Sequence, residues 1–117
     1  MRILLTGSNG FIGRRIAADA LARGWEVVGL GRRARPAGEV SDYLAHDLRS
    51  PLIADLEVDA VVHAAALASP WASPYDYRRD NVDSTRHVLE WAAAHGRPRI
   101  AYVSSSSVLY RNADQFD

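Results

Sequence analysis

Three glycines, Gly7, Gly10 and Gly13, follow directly on the short apolar run Arg2-Ile3-Leu4-Leu5. That run has the length of a buried parallel strand. Behind the glycines, Ile12, Ile16, Ala17, Ala20 and Leu21 recur at helical spacing, and Gly24 is a helix stop. Thr6-Gly7-Ser8-Asn9-Gly10-Phe11-Ile12-Gly13 is therefore expected to be a strand-to-helix turn. Gly7 permits backbone conformations closed to residues with a Cβ. Gly10 lets the chain approach a pyrophosphate, and Gly13 lets the helix pack close to a sheet. The bare N–H groups opening the helix, with its dipole behind them, suit that anion. The spacing is Gly-x-x-Gly-x-x-Gly rather than Gly-x-Gly-x-x-Gly, and an ordinary Gly-rich turn is the competing reading. All fourteen basic residues are arginine, so a Gly-x-x-x-x-Gly-Lys phosphate loop is excluded.

Trp25–Leu30 reads as a second strand, which makes strand, helix and strand a right-handed crossover unit. In a dinucleotide site the end of this strand faces the adenosine ribose, and an acid there marks NAD. Here the residues are Gly31-Arg32-Arg33-Ala34-Arg35, with no acid. Guanidinium groups suit a 2′-phosphate instead. NADP is therefore the expected cofactor and NAD the alternative, with Arg32 ahead of Arg33; a solvated basic loop is the bland reading. Residues 40–45 predict a third strand, followed by His46-Asp47-Leu48. Asp47 has two readings, acceptor for an adenine amino group with Leu48 beside the ring, or cap of the turn before Ser50-Pro51. Pro51–Leu56 is expected to be a short helix.

Asp59–His63 predicts the fourth strand, ending in Ala64-Ala65-Ala66, whose small side chains leave room for a flat cofactor. His63, closing a buried strand, reads as hydrogen-bonded packing rather than catalysis. Residues 69–74 form an irregular loop at the strand ends, and Trp71 in it lines a pocket or packs. A long helix is expected over Tyr75–His95, closed by Gly96 and Pro98, with Val82, Thr85, Leu89, Ala92 and Ala93 on its inner face. Tyr75 and Arg79 imitate a Tyr-x-x-x-basic pair, but an arginine stays protonated on this surface helix, which rejects that role. Arg99–Val103 is the last strand, and the serines after it are turn chemistry or an active-site hydroxyl.

The chain has length for one domain spanning 1–117, and its formal charge is zero. That balance argues against nucleic-acid binding by a basic surface. With no cysteine and no second histidine at ligand spacing, a metal site is not expected. No apolar run is long enough for a membrane span, so no membrane partner is expected and a cytoplasmic location is.

Together these residues resemble the extended short-chain dehydrogenase/reductase family, the NAD-dependent epimerase/dehydratase group. The matching landmarks are Thr6-Gly-x-x-Gly-x-x-Gly13, Asp47-Leu48, His63-Ala64-Ala65, Asn81-Val82 with Thr85, and Val103-Ser104-Ser105-Ser106 with Tyr110, in family order. The resemblance implies an α/β fold, a Rossmann-like doubly wound parallel sheet of strand order 3-2-1-4-5, here truncated. It places Gly7, Asn9, Gly10, Phe11 and Ile12 at the cofactor phosphates, and Arg32 and Arg33 at the ribose phosphate. Asp47 and Leu48 fall at the adenine, and Ala64, Ala65 and Ala66 on the nicotinamide side. Asn81 ties the fourth strand to the cofactor region, with Ser104 also on the cofactor side. Ser106, four residues before Tyr110, matches the catalytic serine or threonine, whose hydroxyl bonds the reacting oxygen of a small-molecule substrate.

The family's Tyr-x-x-x-Lys pair belongs about twenty residues beyond Tyr110 and is not in this chain. The resemblance thus implies the amino-terminal part of an NAD(P)-dependent epimerase, dehydratase or reductase, acting at a hydroxyl- or carbonyl-bearing carbon such as that of a nucleotide sugar. Alone, the chain is expected to be catalytically silent, to keep dinucleotide affinity, and to self-associate through its uncovered last strand or sheet face. The alternative is a complete small protein that binds a dinucleotide or a partner without chemistry.

Overall fold

The computed structural model describes residues 1–66 and 71–104. Strand β1 (Arg2–Thr6) leads into helix α1 (Phe11–Ala22), then β2 (Glu26–Gly31), β3 (Asp42–Ala45) and β4 (Ala60–His63). A short helix α2 (Pro74–Tyr77) runs through a π-helical stretch, Arg78–Asp83, into α3 (Ser84–Ala94), and β5 (Arg99–Tyr102) closes the series. All four pairings are parallel, and the sheet order is β3-β2-β1-β4-β5. The Rossmann-like topology expected from the sequence is the one observed.

Period-2 alternation explains why the three middle residues of β1, Ile3, Leu4 and Leu5, are all apolar. Ile3 and Leu5 point to the α1 side, packing with Ala17, Ala20 and Val27. Leu4 points to the other face, among Val28, Leu30, Val61, Val88 and Trp91. A strand covered on both faces needs both sets of side chains. The order in which strands are added reverses between β1 and β4, since β2 and β3 lie to one side and β4 and β5 to the other. Ligand crevices in such sheets open at this point, beyond the carboxyl ends of the strands.

Two expectations need correction. Residues 51–58 form no helix. Leu52 is buried, and Ala54, Leu56 and Val58 pack against the same core while the residues between them are exposed, so the segment crosses the core extended. The inner face of the long helix is also displaced. Ser84, His87, Val88, Trp91 and Ala92 are buried, whereas Val82 is 60% and Leu89 49% exposed. The π-helical stretch adds a residue to the turn preceding α3 and so rotates the face that α3 turns to the sheet. Smaller is the difference at β3, which pairs from Asp42 rather than from residue 40.

Candidate functional site

The glycine turn leaves β1 tied to the end of β2, because the Gly7 amide donates to the Leu30 carbonyl at 3.0 Å. Gly7 has φ +69, and a Cβ there would stand 2.7 Å from Ala65 N and 2.8 Å from Ala64 C. Any side chain at position 7 would therefore push the β4 terminus away. Gly13 faces inward too, but a Cβ there would land on the Gly7 carbonyl oxygen. It permits α1 to sit on the turn itself, closer than the sheet packing expected from the sequence. Gly10 differs from both. Its Cβ would meet only Gly7 O, at 3.4 Å, an ordinary contact, so the protein's own packing does not require glycine at that position.

Gly10 also caps α1 without a side-chain bond, and no acidic residue stands in the first turn. The amides of Phe11, Ile12 and Gly13 have no acceptor among the described residues. The Phe11 and Ile12 side chains are exposed. What these residues offer a ligand is backbone N–H, backed by a twelve-residue helix dipole.

In front of the turn lies a cleft of about 350 Å³ lined by Gly7, Asn9, Gly10, Arg32, Arg33, Asp47, Leu48 and Ala64, Ala65 and Ala66, among others. Most of the expected cofactor residues thus share one surface, while Phe11 and Ile12, which follow Gly10 at the start of α1, are not among its lining residues. Asp47 makes the turn-capping bond of one of its readings, Oδ1 accepting from the Arg49 amide at 3.0 Å, and Oδ2 has no partner among the described residues. Asn81 is not part of the wall, and Ser104 is exposed beyond β5. Ser106 lies outside the described residues.

Sequence reasoning missed Arg49, Asp80, Ser84 and His87. Arg49 grips Asp80 with two bonds, Nε to Oδ1 at 2.6 Å and Nη2 to Oδ2 at 3.3 Å. The Asp80 hydrogen bond raises the Arg49 pKa and holds it charged. That charge is already matched, whereas Arg32 and Arg33 form no ion pair among the described residues. The unmatched positive charge of the cleft therefore sits at the β2 end. His87 donates from Nδ1 to the Leu48 carbonyl at 2.7 Å and fixes the opposite wall. Neither contact has a local sequence signal, since they join residues 31 and 39 positions apart.

His63 is a packing residue, as expected, and its proton can be placed. The amides of Ala64 and Ala65 both donate to Thr6 Oγ1 at 3.1 Å, so the Thr6 hydroxyl hydrogen goes to His63 Nδ1, 2.6 Å away. His63 Nε2–H then donates to Thr85 Oγ1 at 2.9 Å, and Thr85 donates to the Asn81 carbonyl at 2.6 Å. One directed chain joins the glycine turn, β4 and the π-helical stretch. In this chain the Asn81 backbone carbonyl is the terminal acceptor.

This arrangement needs neutral imidazole, and burial lowers the His63 pKa from its ordinary 6.5. The unfolded chain then binds more protons just below pH 6.5, so stability falls as pH drops through that value toward the folded pKa. Denaturant unfolding of the wild type should lose stability more steeply between about pH 6.5 and 5 than that of His63→Gln. Equal slopes would contradict the assigned tautomer.

Comparison with known proteins agrees with the fold. A 2-alkyl-3-oxoalkanoate reductase of Stenotrophomonas maltophilia (strain K279a) is 36% identical over 117 residues, covering 95% of this chain and 35% of the relative. Methionine adenosyltransferase 2 subunit beta of Bos taurus is 34% identical over 112 residues, 92% of this chain and 33% of its own. The chain thus spans about a third of the length of these relatives. A UDP-galactose 4-epimerase structure superposes with TM-score 0.82 at 33% identity, over 99% of this chain and 42% of that one. MoeE5 in complex with UDP-glucose and NAD gives 0.80 at 33%, over 97% and 39%. Residues 3–116 match the NAD dependent epimerase/dehydratase family, and the chain belongs to that family.

Proposed function

We propose that the chain binds a nicotinamide dinucleotide across the cleft, NADP in preference to NAD. The observation that carries this reading is the set of unbonded amides at Phe11, Ile12 and Gly13, opening α1 at the sheet's reversal point. Open space at Gly10 fits close approach of a diphosphate. Asp47 Oδ2 suits an adenine amino group, with Leu48 packed beside it, and Ala64–Ala66 leave a flat surface for the nicotinamide end. When bound, the nicotinamide supplies hydride transfer.

Arg32 and Arg33, which line the cleft at the β2 end with no ion pair among the described residues and no acid at position 31, support the 2′-phosphate. Calorimetric titration should give tighter binding of NADP than NAD by about tenfold or more, and Arg32→Asp should reverse the order. Equal affinities in the wild type would reject NADP preference. The enzyme context, read from the neighbouring UDP-galactose epimerase and the UDP-glucose complex, is an epimerase, dehydratase or reductase working at a hydroxyl- or carbonyl-bearing carbon of a nucleotide sugar. Ser106 is the hydroxyl proposed to bond the reacting oxygen. With no lysine among its 117 residues, the chain supplies no Tyr-x-x-x-Lys pair, and turnover by it alone is not expected.

A second reading, binding without chemistry, is favoured by one relative being named as a subunit of a methionine adenosyltransferase. The two divide on whether the gene encodes Tyr-x-x-x-Lys past Asp117. Under either, all four β5 residues are exposed at the sheet edge, which supports self-association. Sedimentation should show dimers or larger species at high concentration; a clean monomer would refute it.

A further inference from the structure

The loop after β2 is held from both ends by two side chains, Tyr43 and Asn9, the second of which also lines the proposed cofactor cleft. Tyr43, on β3, donates its hydroxyl hydrogen to the Arg33 carbonyl at 2.8 Å. A carbonyl only accepts, so the Tyr43 oxygen is left to receive Asn9 Nδ2, 2.9 Å away. Asn9 Oδ1 in turn accepts from the Ala37 amide at 2.8 Å. Each of these side-chain polar atoms has a partner, and the amide orientation of Asn9 follows from the two bonds. The result is a bracket from the glycine turn to residues 33 and 37, either side of Arg35.

Gly31 completes the device. A Cβ at position 31 would fall onto Asn9 Nδ2 and stand 2.9 Å from the Tyr43 hydroxyl. The bracket occupies the space that a side chain at the end of β2 would need. In this geometry the Asn9–Tyr43 pair stands where an acid at that position, the feature that marks NAD sites, would have to go. We propose that Asn9 and Tyr43 are positioning residues for 2′-phosphate selectivity. They hold the Arg32–Arg33 main chain against the glycine turn before the nucleotide arrives, and so reduce the ordering cost of a loop otherwise exposed. The proposal rests on the NADP reading above.

The test is calorimetric titration of the 117-residue chain with NADP and with NAD, for the wild type, Tyr43→Phe and Gly31→Ala, each checked for folding by its unfolding midpoint. Tyr43→Phe keeps the ring and removes both bonds; NADP should bind about fivefold more weakly while NAD affinity stays within about twofold. Gly31→Ala displaces the Asn9 amide from the other side and should lower the same ratio, which decides the matter should Tyr43→Phe not fold. A wild type without NADP preference overturns the cofactor reading and this proposal together. A wild type that prefers NADP, with the ratio unchanged in a folded Tyr43→Phe or Gly31→Ala, overturns the bracket alone.

Discussion

Gly10→Ala should weaken dinucleotide binding by at least about tenfold while changing unfolding free energy by no more than ~1 kcal/mol, whereas Gly13→Ala should cost about 3 kcal/mol of stability and weaken binding as well. The contrast arises from the atoms each added methyl meets. Gly10 has φ −78 and ψ 173, extended backbone open to alanine, and its Cβ would make one ordinary contact. Gly10 lines the cleft, so the methyl would take room that the folded chain leaves open there. At Gly13 the neighbours are all backbone: Gly7 O, Gly7 C at 2.7 Å and Ser8 Cα at 3.0 Å. No rotamer change relieves that clash, so α1 must lift from the turn. Calorimetry and denaturant unfolding on the two variants separate the effects. A Gly10→Ala protein that binds as the wild type does would mean the amides are not the phosphate site.

Trp91→Ala should cost about 3–5 kcal/mol, enough to unfold much of a domain whose total stability is of order 5–15 kcal/mol. Trp91 is buried in the core on the α3 face of the sheet, and its Nε1 donates to the Ala54 carbonyl at 2.8 Å. One side chain thus fills the core and bonds one carbonyl of the extended 51–58 segment, which has no strand partner among the described residues and takes a second bond from Arg2 at the Glu57 carbonyl. Trp91→Phe should recover most of the packing and lose the bond, leaving a deficit of about 1–3 kcal/mol. Circular dichroism during denaturation gives both numbers. A stable Trp91→Ala protein would show that the segment is held by something else.

The parts of this fold legible in the sequence are those fixed by short-range rules. The β1 run, the glycine turn and the α1 stop at Gly24, which adopts φ +80, each follow from neighbours a few residues apart. Strand order and the gathering of Asp47, Leu48 and Ala64–Ala66 at one cleft are implied by the family resemblance, and the sheet agrees with its order. In residues 51–58 the signal is present but is not helical: Leu52, Ala54, Leu56 and Val58 alternate with exposed residues, a period of two.

The α3 face misleads for a different reason. Its buried positions include Ser84 and His87, polar residues whose burial is compensated by bonds to the Asp80 and Leu48 carbonyls. An apolar stripe cannot point to them, and Val82 and Leu89 draw the face the wrong way. Likewise the Arg49–Asp80 pair and the Asn9–Tyr43 bracket join distant positions, and only the closed sheet brings them together. Which charges in the cleft are already matched is therefore a property of the folded chain alone.

The most direct test is amide NMR of the chain during titration with a nicotinamide dinucleotide. Saturable shifts should centre on Phe11, Ile12 and Gly13, with smaller ones at Ala64–Ala66 and Arg32–Arg33. Saturable binding whose shifts leave the opening turn of α1 untouched, or no shift at millimolar nucleotide, would contradict the account.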